Sequence, residues 1–180
     1  MATLKKYFIA IIPPEPLFGQ IELIKKQVSE SYHNKSALRS PAHITLHMPF
    51  EWKEEKEDFL IETLKQFKFG QALDIELKNF GCFEPKVLFI DVVKNEGLHF
   101  LQSNLVQFVK QNFNIFNQAD DKRAYHPHVT IAFRDLKKEL FYKAWAEFNS
   151  KTFTGSFSAK RLTLLKHSGK VWEIKAFFGA

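Results

Sequence analysis

Hydrophobic positions along the chain alternate between two periods. Beta-branched and aromatic residues crowd Tyr7 to Ile12, His43 to Phe50, Ala72 to Phe80, Val87 to Val93, His128 to Phe133, Phe153 to Leu165 and Val171 to Phe178, which predicts seven strands. Between them, Leu17, Ile21, Ile24 and Val28, then Phe59, Leu60, Leu64 and Phe67, then Leu98, Leu101, Leu105 and Phe108 recur at helical spacing. A fourth helix is predicted over Leu136 to Phe148, with Leu140, Ala144 and Phe148 on one face and Asp135 as its N-cap; Pro16 suits the first turn of the first helix. The apolar run after Lys5 and Lys6 ends at Pro13 and Pro14 without a small-residue cleavage site, so it reads as a strand and not a signal peptide.

Written in order, strand, helix, strand, helix, strand occurs twice, with one strand added at the end. FIAII, a helix and HITLHMPF in the first half match VLFIDV, a helix and HVTIAF in the second. We therefore expect one α+β domain over 1–180 with an internal duplication, about 5–80 and 86–178. Short linkers such as Gly81 to Lys86 and the Ser168-Gly169 turn favour mainly antiparallel sheet, in two pseudo-symmetric lobes with flanking helices around a central cleft.

The chemistry lies in the repeat. His43-Ile44-Thr45-Leu46 and His128-Val129-Thr130-Ile131 are two copies of His, apolar, Thr, apolar, 85 residues apart. On a strand, each copy turns an imidazole and a hydroxyl to one face and its apolar residues to the other. Related by an approximate two-fold, the pairs converge on one small anion. Two imidazoles that titrate near neutrality supply a general base and a general acid, and two hydroxyls can hold non-bridging phosphate oxygens. That inventory suits phosphodiester cleavage without a metal.

Composition narrows the setting. Lys and Arg number 26 against 20 Asp and Glu, a net charge of +6, which suits a polyanion such as RNA, although Lys53 to Lys56 with Glu54 and Glu55 reads as solvated helix surface. A single cysteine, Cys82, excludes an intramolecular disulfide, reads as a small buried residue, and fits a reducing, cytoplasmic setting. No apolar run reaches the ~20 residues of a membrane span, and no obligate protein partner is evident; a monomer is the default.

With FIAIIPP, PAHITLHMPF, CFEPKVLFIDV, YHPHVTIAF and the final WEIKAFF, nearly the whole chain resembles the two-histidine phosphoesterases, specifically the bacterial 2'-5' RNA ligase-like proteins, or RNA 2',3'-cyclic phosphodiesterases. The resemblance implies a two-lobed fold, no cofactor, and RNA or a nucleotide with a 2',3'-cyclic phosphate as substrate, opened to a 2'-phosphate. By position it implies His43 and His128 as catalytic and Thr45 and Thr130 as phosphate-binding residues. The bacterial product pattern would make His43 the acid for the departing 3'-oxygen and His128 the base. Reversible 2'-5' ligation, a binding-only relative and a metal-dependent hydrolase are the competing readings.

Cleft-contact candidates are Arg39, His47, Lys86, Tyr125 and Arg134. His47 shares strand parity with His43. Arg134 follows the second motif one position later than the arginine of some relatives, which turns it from the phosphate on a regular strand. Tyr125 and Phe83 are candidate base platforms, set against 20 phenylalanines that mostly fill cores. His126 and His128 form an H-x-H pair, but without a third and fourth ligand it is no metal site. Specificity is expected in the loops His33 to Pro41 and Asn117 to Tyr125.

Overall fold

The structure is a computed structural model and describes residues 3–117 and 124–179. Eight strands and four α-helices follow in the order β1 (Leu4–Ile11), α1 (Leu17–Tyr32), β2 (Ile44–Lys53), α2 (Glu57–Leu64), β3 (Leu73–Phe83), β4 (Val87–Val92), α3 (Glu96–Phe113), β5 (His128–Ala132), α4 (Lys138–Phe148), β6 (Thr154–Ala159), β7 (Leu162–His167) and β8 (Trp172–Phe178). Short 3-10 turns span Ser36–Arg39 and Glu54–Lys56.

All strands join one sheet in the order β6-β3-β4-β5-β2-β1-β7-β8, and every pairing is antiparallel. The order is symmetric about the junction of β5 with β2: β4 answers β1, β3 answers β7, and β6 answers β8. Each four-strand group draws on both halves of the chain. β3 leaves the first half to pair with β4 and β6, and β7 and β8 return from the C-terminal end to β1.

The apolar stretch Phe153 to Leu165, predicted as one strand, is two. The exposed basic pair Lys160-Arg161 breaks it, and β6 and β7 pair with β3 and β1 in opposite groups of the sheet. The helices bury the stripes their periodicity marked, with Leu17, Ile21 and Val28 of α1 and Leu98, Leu101 and Leu105 of α3 in the main core. α1 carries one polar exception on that stripe, Lys25, which is 1% exposed.

Asp135 does not cap α4. Lys137 holds that position without a side-chain cap, and the Asp135 carboxylate instead accepts the Lys35 and Ser36 amides and the Asn34 side chain. Asn34, fully buried, also donates to the Phe133 carbonyl at 2.7 Å. These bonds tie the segment before the first motif to the segment after the second. The pull of several backbone and side-chain donors keeps the Asp135 carboxyl below the usual range.

Gly81 of β3 lies opposite Phe89 of β4, and a Cβ there would stand 2.3 Å from a ring carbon. Phe89 is 3% exposed and cannot move outward freely. Gly81→Ala should therefore destabilise the fold by about 1–3 kcal/mol through overpacking, read as a lower Tm. An unchanged Tm would show that the ring has room to turn.

Candidate active site

β2 and β5 meet at one registered pair, Ile44 opposite Val129. Continuing that antiparallel register places His43 beside Thr130 and Thr45 beside His128. Ile44, Leu46, Val129 and Ile131 are buried, whereas His43, Thr45, His128 and Thr130 are half-buried on the other face. The two histidines occupy diagonal positions, which in a regular antiparallel pair stand ~7–8 Å apart. That spacing is of the order needed to bracket a phosphate, with the two threonines at the other diagonal.

The imidazoles are anchored alike. His43 Nδ1 lies 2.6 Å from the Pro41 carbonyl and His128 Nδ1 lies 2.7 Å from the His126 carbonyl, in both cases two residues back. A carbonyl only accepts, so each Nδ1 carries the hydrogen, and in the neutral ring the lone pair lies on Nε2. Each ring also leans on a phenylalanine from the neighbouring strand: Phe8 at 4.7 Å from His43, Phe89 at 4.8 Å from His128. Trp172 packs on Phe8, and Phe83 packs on Phe89 and His128, so the two aromatic walls also match.

Charge breaks the symmetry. Behind His43, the buried Lys25 ammonium donates to Glu22 Oε1 at 2.8 Å and to the Ser40 carbonyl at 2.6 Å, and the same Glu22 oxygen accepts the Ala42 amide at 2.6 Å. The pair grips the backbone on both sides of Pro41, whose carbonyl orients His43. Beside His128, Asp91 is its cross-strand partner and accepts a hydrogen bond from His126 Nε2 at 2.9 Å. Burial pulls His43 down to about 4, with Lys25 and His128 adding repulsion. Burial also lowers His128; the bond to the His126 carbonyl raises it, the His126 ring repels its charge, and Asp91 raises it by less.

Of the other cleft candidates, Tyr125 reaches the site: its hydroxyl donates to the Thr45 carbonyl at 2.9 Å, its ring packs on His99, and burial raises its pKa. It props the motif strand. His47 is fully buried, against the strand-parity expectation. β2 carries two extra residues against β1 between Phe50 and Thr45, and such bulges shift side-chain parity, so both Leu46 and His47 turn inward. There His47 Nδ1 meets the Met48 carbonyl and its ring meets Phe50, while Nε2 has no partner among the described residues.

Arg134 lies beyond the end of β5 at φ 61°, where strand alternation no longer governs its direction, and its guanidinium rests over Phe133. Arg39 and Lys86 are exposed, and neither bonds to the four motif side chains. Phe83 stands in the wall beside His128, and Cys82 is partly and not fully buried, its thiol raised by that burial. Among the described residues no three His, Cys, Asp or Glu gather as a metal site. Residues 118–123 of the expected specificity loop lie outside the described residues.

Sequence reasoning missed Glu22, Lys25, Asp91 and Phe8. A lysine on the apolar stripe of α1 and an aspartate inside VLFIDV at the parity of Phe89 were the available signals. Lys25→Met should raise the His43 titration slightly, because the Lys25 repulsion is removed while the burial that chiefly holds it down remains. Proton NMR of the imidazole Hε1 resonances reads this. Lys25→Arg should restore the low value, and an unmoved His43 in Lys25→Met would show that burial alone sets it.

A family model described as the 2'-5' RNA ligase superfamily matches residues 13–171 of the chain. Among solved structures, E. coli LigT complexed with 3'-AMP is similar at 19% identity and a TM-score of 0.68, covering 98% of both chains. TT0787 of Thermus thermophilus gives 19% identity and 0.64 over 96% of both. The MHV ns2 PDE domain gives 18% and 0.52 over 90% of this chain and 99% of that one. No curated protein matches the chain. The family match spans both motifs and most of the sheet, and the chain belongs to the 2'-5' RNA ligase superfamily of two-histidine phosphoesterases.

Proposed function

We propose that this protein is a metal-independent phosphodiesterase that opens 2',3'-cyclic phosphate ends of RNA or nucleotides. One observation carries the reading: two imidazoles, each with Nδ1 held by the carbonyl two residues back and Nε2 left as the acceptor, stand on adjacent strands beside two threonines on the same sheet face. E. coli LigT forms complexes with 3'-AMP, ATP and NADP+, which supports a nucleotide-sized ligand. The net charge of +6 favours polyanions over neutral esters.

The Lys25 ammonium behind His43 and the Asp91 carboxylate across from His128 support His43 as base and His128 as acid, the reverse of the division that the bacterial product pattern implies. His43, lowered by burial and Lys25, stays neutral and accepts the proton of an attacking water through Nε2. The water oxygen bonds to phosphorus as the opposite P–O bond to ribose breaks, and His128, beside Asp91, delivers a proton from Nε2 to that departing oxygen. Thr45 and Thr130 hydroxyls donate to the non-bridging oxygens, where charge grows. The product is a phosphomonoester and a free hydroxyl. With an RNA 5'-hydroxyl in place of water, the same step joins ends, and this ligation is the second reading, favoured by the family match.

Turnover of a short RNA with a 2',3'-cyclic end should persist in EDTA and fall about 10²–10⁴-fold in His43→Ala and His128→Ala. The position of the phosphate in the product shows which ribose oxygen leaves. A diester with an aryl leaving group needs no general acid. On it, His128→Ala should recover to within about tenfold of wild type and His43→Ala should not; the opposite pattern would reverse the roles. Absence of turnover by folded wild-type protein would overturn the reading.

A further inference from the structure

The sheet face that carries His43 continues beyond it. Ile11 pairs with Ile44, so Ile12, one residue on, stands opposite His43. Ala10 pairs with Thr163, and Thr163 pairs with Phe177. Phe8, Ala10 and Leu165 form a buried cluster on this face, with Ile12 and Trp172 packed against it, and the Phe8 ring touches His43. The same side of β1, β7 and β8 thus leads from the histidine outward.

That face ends in an open groove of about 530 Å³, lined in part by Ile12, Thr163, Ile174, Phe177, Lys160 and Arg161. Two features mark it. Ile174 and Phe177 are 48% and 42% exposed, large apolar side chains left facing solvent. The Arg161 guanidinium lies 3.8 Å over the Phe177 ring, at stacking distance, and among the described residues no carboxylate pairs with it. A stacked guanidinium keeps its N–H edges and outer face free for a phosphate or a base.

The spacing fits a polymer. Strands lie ~4.8 Å apart, so Thr163, two strands from Thr45, lies about 10 Å from the motif row, a span one nucleotide covers. We propose that this groove holds the nucleotide 5' to the cyclic-phosphate residue, with its base on Ile12, Ile174 and Phe177 and its phosphodiester on Arg161 and Lys160. The inference rests on the proposed phosphodiesterase reading and makes an RNA strand, and not a free mononucleotide, the preferred substrate. Apolar floor, stacked arginine and a second cation are the elements by which proteins hold single-stranded RNA.

The test compares kcat/KM for a dinucleotide ending in 2',3'-cyclic phosphate with that for the mononucleotide 2',3'-cyclic phosphate. Wild type should prefer the dinucleotide by about tenfold or more, and Arg161→Gln and Phe177→Ala should bring the ratio toward one. Lys26→Gln, on the outer face of α1, should keep the wild-type ratio, and melting curves confirm that the variants fold. Equal efficiency on both substrates in wild type would overturn the groove while leaving the phosphodiesterase reading intact. Should neither substrate turn over, the phosphodiesterase reading fails, and calorimetry of the mono- and dinucleotide 2'- and 3'-phosphates decides the groove. Tighter binding of the dinucleotide, lost in Arg161→Gln, supports it, and equal binding overturns it.

Discussion

Everything in the candidate site depends on one backbone contact, the pairing of Ile44 with Val129. It joins two four-strand groups into a single sheet and fixes the phase of both motif strands at once. Because side chains alternate along a strand, setting this one register sends four apolar residues into the core and two histidines and two threonines to the opposite face. A slip by one residue would bury all four polar groups. The cost of burying the imidazoles unpaired is thus part of what holds the register.

Around this contact the fold supplies supports of two kinds. Matched supports, the carbonyls two residues back and the phenylalanines from β1 and β4, give both imidazoles the same tautomer and the same packing. Unmatched supports give them different charge environments: a buried lysine and glutamate behind one, an aspartate and a third histidine beside the other. A symmetric scaffold positions two like groups, and the proposed acid–base division of labour needs them to differ. The asymmetry comes from α1 and β4, not from the motifs.

The loops on either side are also tied by buried polar bonds. Asn34 and Asp135 connect the segment before β2 with the segment after β5, about a hundred residues apart in sequence. On the opposite face, Tyr7, Glu57 and Lys166 join β1, α2 and β7, with burial and the Glu57 charge raising the Tyr7 hydroxyl to about 12. A sheet built from strands of both halves needs such cross-links, since no group is contiguous in the chain.

Periodicity alone located the four helices, most strands and the duplicated His-x-Thr pattern, because a strand's two-residue period and a helix's 3.6-residue period are local properties of the chain. It also named the four motif residues, since a repeated motif on equivalent strands carries its own geometry. It failed where geometry ceased to be local. Phe153 to Leu165 reads as one strand because nothing in its apolar pattern reveals that its two ends pair with different partners. Strand parity makes His47 a candidate cleft contact, and its burial is not visible there because bulges are set by pairing with β1, which parity within β2 cannot show. Asp135 satisfies a capping pattern but bonds a segment a hundred residues away. The sequence by itself determined the elements and the matched motif residues; tertiary structure decided which strands adjoin, and so which charges stand behind each histidine and where the motif-bearing face leads, because those depend on contacts between distant residues.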